Sequence, residues 1–185
     1  MTAVITGLSC SRSPDKPAEF TISIKDKPLT FCNPVNLNMG SERARRAGEP
    51  VVVLYKGDYY LFITGGRGYW YSGNMRDWTY VSVPNFVRGV PGAATDGETM
   101  YACGMNAKEV FASTDPKNGV WKQVGTFDSD RYGDADLFID DDGRFYMYWG
   151  WSQILPFQVV ELDPDNGFRE TGEPKVCFFG DYTEQ

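Results

Sequence analysis

Three copies of one pattern, a turn containing glycine followed by an aromatic-rich strand, constrain the fold of this chain more than any other feature. The turn glycines are Gly57, Gly97 and Gly143, so the copies lie 40 and 46 residues apart. A further strand and a polar turn follow each copy. This period is typical of the four-stranded blade of a β-propeller. The sequence therefore predicts an all-β fold with about three propeller blades.

Three blades are fewer than the four to eight with which propellers usually close. We therefore expect the remaining blades to come from a longer protein or from a partner. Signals for helices are nearly absent, because the only polar run of helix-forming residues, residues 41–47, has no apolar stripe to bury.

Composition and charge narrow the class of ligand. With 42% hydrophobic residues the chain can form a substantial core, and its 15% aromatic residues offer flat faces on which sugar rings or bases can stack. Its formal net charge of −7 would repel the phosphate backbone of a nucleic acid. These properties exclude nucleic acid as the expected partner and favour a neutral saccharide.

The absence of histidine restricts the chemistry. A chain with no His cannot use a Ser-His-Asp triad or histidine metal ligands, which leaves carboxylates as the natural acid and base groups. The four cysteines are scattered, so their spacing indicates neither a zinc knuckle nor a CxxC redox site, and it leaves disulfides open. We expect no metal and no cofactor.

The first 27 residues have the character of a leader and linker, and we place the partial propeller domain at residues 28–185. Residues 3–10 resemble the end of a bacterial lipoprotein signal, in which Cys10 would carry a lipid anchor. The segment lacks the basic region and the full apolar length of such a signal. Either a truncated leader or a plain flexible N-terminus accounts for it.

Two carboxylates occupy matching places in the repeats. In a propeller the first strand of each blade lines the central channel, so the residues just before it meet at one mouth. Glu49 lies eight residues before Gly57, and Asp134 lies nine before Gly143, whereas Arg88 and Gly89 occupy this place in the middle copy. Asp also favours strand ends for structural reasons. Repetition at one mouth nevertheless favours acid–base chemistry.

Three further residues are candidates for binding a saccharide. Trp70 and Trp149 could form stacking platforms for a sugar ring, although aromatic residues in strands more often pack between blades. Arg67, in a glycine-rich loop, could reach a substrate hydroxyl, although a solvated arginine is the common outcome for such a loop.

The motif DADLFIDDDGRFY, residues 134–146, resembles the strand motif of glycoside hydrolase family 43 (GH43). Residues 49–62 resemble the first-blade motif of the same family, which normally opens with Asp-Pro, and residues 71–78 resemble its blade ending. The match covers about residues 33–174. The family contains five-bladed propellers, among them xylosidases, arabinofuranosidases and arabinanases.

The resemblance implies inverting hydrolysis of a glycan that contains arabinose or xylose, by a protein that a bacterium exports. Glu49 matches the position of the general base. Asp134 matches the carboxylate that orients the substrate and raises the pKa of the general acid, which in the family is a Glu on a later blade.

Three departures from the family pattern bear on activity. Glu49 stands where the family has Asp, and Ala135 stands where Pro usually follows the orienting Asp. No residue after Asp134 lies in a motif that identifies the general acid. We expect this chain alone to be inactive or impaired. The alternative is a non-catalytic propeller that binds carbohydrate and derives from such a hydrolase.

Overall fold

A computed structural model of the protein describes residues 3–6, 19–22, 37, 48–65, 67–83, 86, 89, 91–104, 109–127, 132–150 and 156–179. The chain divides into two compact units, residues 1–36 and residues 37–185. In the first unit, β1 (Ala3–Thr6) and β2 (Glu19–Ile22) pair in antiparallel fashion. The expected boundary after residue 27 falls inside this unit. The proposed lipid anchor at Cys10 lies outside the described residues, so it stays a prediction.

The second unit contains three antiparallel sheets, each built from strands that are consecutive in the chain. The first blade consists of β3 (Gly48–Tyr55), β4 (Asp58–Thr64), β5 (Gly68–Ser72) and β6 (Thr79–Ser82). The second consists of β7 (Gly92–Thr95), β8 (Met100–Cys103), β9 (Glu109–Asp115) and β10 (Val120–Thr126). The third consists of β11 (Asp136–Ile139), β12 (Phe145–Trp149), β13 (Phe157–Asp163), β14 (Arg169–Glu170) and β15 (Lys175–Phe178).

The repeated glycines close the first turn of each blade, as their backbone angles require. Gly57, Gly97 and Gly143 have φ values of 85°, 93° and 81°, in the left-handed region that glycine enters without steric cost. In the first blade Lys56 also has a positive φ, of 47°. Two such residues in succession favour the tight hairpin that joins β3 to β4.

Side chains alternate between the faces of each blade and form a core on both sides of the second blade. Tyr60 and Phe62 of β4 face the second blade and pack in one cluster with Met100 of β8. On the other side of the second blade, Val110 packs with Met147 and other residues of the third blade. The apolar strand residues are therefore buried between blades, as the repeats predict.

Regular helix in the described residues is confined to two short 3₁₀ turns, Pro116–Asn118 and Pro164–Asn166. The all-β, partial-propeller fold predicted from the repeats is confirmed. Apolar residues stay exposed on the two outward faces, with Val52 and Leu54 on the first blade and Phe138 and Tyr148 on the third. No α-helix among the described residues is long and apolar enough to cross a membrane.

Candidate functional site

The first strands of the three blades lie side by side, with β7 between β3 and β11. At one end, the Tyr55 hydroxyl at the end of β3 donates to the carbonyl of Glu98, just after β7, at 2.7 Å. At the other end, Gly92 at the start of β7 faces Asp136 at the start of β11. The three strands therefore run in one direction, and their N-terminal ends form a single mouth.

A residue at the N-terminal end of each of these strands has a left-handed backbone. The φ values are 50° for Glu49, 80° for Gly89 and 52° for Asp134. This conformation costs a non-glycine residue roughly 1–2 kcal/mol, and such strain is concentrated at functional sites. The two carboxylates that the sequence places at the mouth are thus held in the same unfavourable conformation. In the middle blade Gly89 lies eight residues before its turn glycine, as Glu49 does in the first blade. This glycine is the signal in the sequence for a left-handed backbone at the mouth.

Glu49 occupies a β-bulge in β3. Gly48 pairs with Thr64 and Val51 with Phe62, so β3 has one more residue than β4 over this interval. Glu49 is exposed, and its carboxylate accepts a hydrogen bond from the hydroxyl of Thr64. An exposed carboxylate in this position is accessible to water and to a ligand at the mouth.

Asp134 is half-buried in the short segment before β11. On one side, the N–H of Gly150 donates to the carbonyl of Gly133 at 3.0 Å. On the other side, Ala135 is 1% exposed, and its carbonyl accepts a hydrogen bond from the thiol of Cys103 at 3.9 Å. The main chain around Asp134 is therefore fixed on both sides.

Asp136, two residues further on, is a functional candidate to which the sequence assigned no role. A Cβ atom on Gly92 would lie 2.9 Å from its Oδ1 atom, so the carboxylate uses the space that the glycine leaves. Although Asp136 as a whole is exposed, partial burial of the carboxylate raises its pKa, and hydrogen bonds from the main chain of Leu137 and Ala93 act in the opposite direction.

The side chains of the two tryptophans are buried. Trp70 is 0% exposed and packs against Tyr80, with 4.9 Å between ring centroids. Trp149 is 2% exposed and packs edge-on against Tyr132 at 4.9 Å. A buried indole offers no face to a sugar, so the expected stacking role is corrected for both. Packing between strands, the alternative for aromatic residues, describes them.

Arg67 lies in the exposed connection between β4 and β5, and its carbonyl accepts a hydrogen bond from the N–H of Val83 at 3.1 Å. Since β4 runs antiparallel to β3 and ends opposite Gly48, this connection lies at the same end of the blade as Glu49. Arg67 is therefore near the mouth, and its contact with a substrate hydroxyl stays a prediction.

A cleft of about 510 Å³ lies elsewhere, between β10 and the 3₁₀ turn of the third blade. It contains Gln123, Asn166 and Arg169 but none of the candidate site residues. The described residues include no group of three or more His, Cys, Asp and Glu side chains that could hold a metal ion. The expectation of no metal stays a prediction.

No protein-family model and no curated protein matches the chain. Solved structures that resemble it include the following three. A GH43 protein from Bacillus licheniformis has a TM-score of 0.58 and 16% sequence identity, and the match covers 74% of this chain and 32% of that chain. A xylan β-1,4-xylosidase from Bacillus halodurans has a TM-score of 0.56 and 18% identity, with 74% of this chain and 33% of that chain covered. An α-L-arabinofuranosidase from Clostridium thermocellum has a TM-score of 0.53 and 18% identity, with 74% of this chain and 57% of that chain covered.

The chain spans about a third of the length of the first two of these structures and somewhat more than half of the third. At such low sequence identity the likeness concerns the fold and not the activity. The likeness extends over about three quarters of this chain. The chain therefore has a GH43-like fold.

Proposed function

We propose that this chain supplies part of the active site of a glycoside hydrolase that cleaves arabinose- or xylose-containing plant glycans with inversion of configuration. The observation that carries the proposal is the placement of Glu49 and Asp134. Both lie at the N-terminal ends of inner strands, at one mouth, and both have the left-handed backbone, with φ of 50° and 52°. Strain of this kind persists only where the surrounding structure fixes it, and it is frequent at active sites.

In the proposed reaction Glu49 is the general base. Its carboxylate takes a proton from a water molecule as the water oxygen bonds to the anomeric carbon. On the opposite face of the sugar the glycosidic bond breaks, and its electron pair goes to the leaving oxygen, which a general acid protonates. The two carboxyl groups of an inverting pair lie about 6.5–9.5 Å apart, which leaves room for the water.

Asp134 is the orienting carboxylate of this scheme. A carboxylate held close to the acid disfavours the ionised form of that acid and so keeps it protonated near neutral pH. The acid itself is a Glu on a later blade, as the resemblance to GH43 implies. This chain would therefore turn over substrate slowly or not at all without that blade.

The proposed substrate is neutral and polyhydroxylated, which suits a chain of net charge −7. The solved relatives include a xylosidase, an arabinofuranosidase and an arabinoxylan arabinofuranohydrolase from Bacillus subtilis in complex with cellotetraose. We propose that this chain acts on the same class of saccharide. We also propose that a bacterium exports it, because such glycans are found outside the cell.

A second candidate is a propeller that binds saccharide without cleaving it. The hydrogen bond between the Glu49 carboxylate and the Thr64 hydroxyl favours this binding protein, because it gives the carboxylate a structural role in joining β3 to β4. The side chain is also one methylene longer than the Asp of the family, and a displacement near 1 Å can cost about 100-fold in rate.

Hydrolysis of nitrophenyl α-L-arabinofuranoside and β-D-xyloside tests the proposal, with this chain and the full-length product of its gene assayed side by side. Glu49→Gln should lower kcat of the full-length product about a thousandfold, the contribution of a general base. Glu98→Gln is the matched control, since Glu98 is exposed beyond the opposite end of β7. No turnover by any variant, together with saccharide binding that depends on Glu49, would contradict the hydrolase and establish the binding protein.

A further inference from the structure

Asp136 links the third blade to the second at the mouth. It is the first residue of β11, and the carboxylate lies where a side chain of residue 92 would otherwise stand. A Cβ atom on Gly92 would also come within 2.8 Å of the carbonyl oxygen of Ala135. Real Cβ atoms essentially never come so close to main-chain atoms, so Gly92 and the segment 135–136 fit only together.

The second observation is that this contact adjoins the strained residue. Asp134 precedes Ala135 directly, and its φ of 52° is unfavourable for residues other than glycine, although less so for Asp than for Ala. The hydrogen bond between Gly150 and Gly133 fixes the chain before Asp134. The contact of Asp136 and Ala135 with Gly92 fixes it after Asp134. A left-handed residue held between two such contacts has little freedom to relax.

We propose that Asp136 is a positioning residue, whose carboxylate, seated against Gly92, holds the backbone of Asp134 in its left-handed conformation and thereby sets the direction of the Asp134 side chain. The proposal deepens the proposed function, and rests on it only for the role of Asp134. The resemblance to GH43 gives Asp136 no role.

The other ionisable groups near Asp136 do not account for its placement. The thiol of Cys103 lies nearby on β8, where burial raises its pKa far above the ordinary value, so this thiol is neutral. The Tyr148 hydroxyl belongs to the residue paired with Asp136 on β12, and β7 contributes Gly92, Ala93 and Ala94, which have no ionisable side chain. Among the described residues no ion pair holds the Asp136 carboxylate, which lies in the space left by Gly92.

The first test measures the backbone conformation of residue 134 without any need for activity. In this chain, the folding equilibrium constant of Asp134→Gly should be about five times that of Asp134→Ala, because glycine accepts the left-handed region without strain and alanine does not. Asp136→Ala should reduce this difference, since residue 134 can then relax in part, while the main-chain contacts of Gly133 and Ala135 remain. Asp136→Asn, which keeps an acceptor oxygen in the cradle, should preserve it.

A difference that is undiminished in the Asp136→Ala background overturns the proposal, because the Asp136 side chain then contributes nothing to holding residue 134. Asp136→Ser, which shortens the side chain but keeps a hydroxyl, takes the place of Asp136→Ala if that variant does not fold. The Asp141→Asn variant, in the exposed turn at the far end of β11, is the control and should leave the difference unchanged.

The second test uses the pH profile of kcat/KM in the full-length product. Misplacing Asp134 lowers the pKa of the general acid, so Asp136→Ala should move the alkaline limb to lower pH, in the same direction as Asp134→Asn, while Asp136→Asn leaves it in place. A loss of rate with an unmoved limb contradicts the positioning role. If the wild type shows no turnover, the proposed hydrolase fails, and the equilibrium test still decides whether Asp136 holds residue 134.

Discussion

Glu49 and Asp134 share one backbone conformation, with φ values of 50° and 52°, at the N-terminal end of the innermost strand of the first and third blades. The middle blade has Gly89 there, with φ of 80°. The blades thus repeat a left-handed residue, and two of them place a carboxylate on it where glycine would be more stable. Lys56, Met75 and Phe168 also have positive φ values, so what distinguishes Glu49 and Asp134 is that both place a carboxylate at the mouth, as many active sites do.

Replacing Asp134 tests whether its backbone is strained. Asp134→Gly should have a free energy of unfolding about 1 kcal/mol above that of Asp134→Ala, because glycine enters the left-handed region freely while alanine does not. Chemical denaturation of the two variants measures the difference. An alanine variant as stable as the glycine variant would show that residue 134 is unstrained in solution.

The buried hydroxyl of Tyr69 should contribute to stability across the first two blades. It donates to the carbonyl of Pro116 and accepts from the indole N–H of Trp121 at 2.9 Å. Tyr69→Phe leaves both partners without this hydrogen bond and should lower the free energy of unfolding by about 1–3 kcal/mol. Tyr59→Phe, on the same sheet but only partly buried, is the control and should change stability by much less.

Stability should also fall in alkaline solution, because the phenol of Tyr69 is buried in the folded chain. Burial raises the pKa of Tyr69 to about 12. The unfolded chain ionises this phenol near its ordinary pKa of about 10, whereas the folded chain keeps it neutral. Unfolding therefore becomes more favourable as the pH rises from about 10 to about 12.

Tyr69→Phe should make this alkaline loss of stability shallower, as measured by denaturant unfolding at a series of pH values. The loss should not vanish, since burial also raises the pKa of Tyr60 and of Tyr101. An identical slope in wild type and variant would mean that Tyr69 ionises equally easily in both states.

Substitution of Arg67 should affect saccharide binding, whereas substitution of Trp149 should affect stability. Arg67 is exposed near the mouth, so Arg67→Ala should weaken saccharide binding and leave the unfolding midpoint nearly unchanged. Trp149 is 2% exposed, so Trp149→Ala should cost about 3–5 kcal/mol of stability by opening a cavity. Calorimetric titration with xylo- and arabino-oligosaccharides, next to thermal unfolding, measures both effects. Unchanged binding by Arg67→Ala would remove Arg67 from the site.

The carboxyl of Asp136 should lower stability at neutral pH. Its pKa is raised in the folded state, so the unfolded chain loses this proton at a lower pH than the folded chain. The resulting cost is absent below the unfolded pKa of about 3.9 and develops as the pH rises above it. Asp136→Asn should therefore gain stability relative to wild type between acidic and neutral pH, in paired denaturation curves. A constant difference would contradict the raised pKa.

Much of the fold followed from the sequence because its signals are local. Turn glycines such as Gly57 and the alternation in strands such as β4 determine hairpins directly, and hairpins repeated at the period of a blade determine a propeller. The mouth was predictable for the same reason, since Glu49 and Asp134 each have a fixed distance to a turn glycine. The pairing in residues 1–27 had no such signal.

The errors concern packing between distant segments. Whether Trp70 and Trp149 are exposed or buried depends on which face of the blade each strand position occupies. The aromatic content of the strands does not distinguish these two cases. The role of Asp136 depends on Gly92, 44 residues earlier in the chain. No local pattern indicates that one strand lacks a side chain where another strand places a carboxylate.

The stereochemistry of hydrolysis tests the central claim most directly. Proton magnetic resonance of the first sugar released by the full-length product identifies its anomeric configuration before mutarotation. We predict a product of inverted configuration, released at a rate that Glu49→Gln lowers about a thousandfold. A product of retained configuration, or turnover that is unchanged in Glu49→Gln, would contradict the assignment of Glu49 as the general base of an inverting glycosidase.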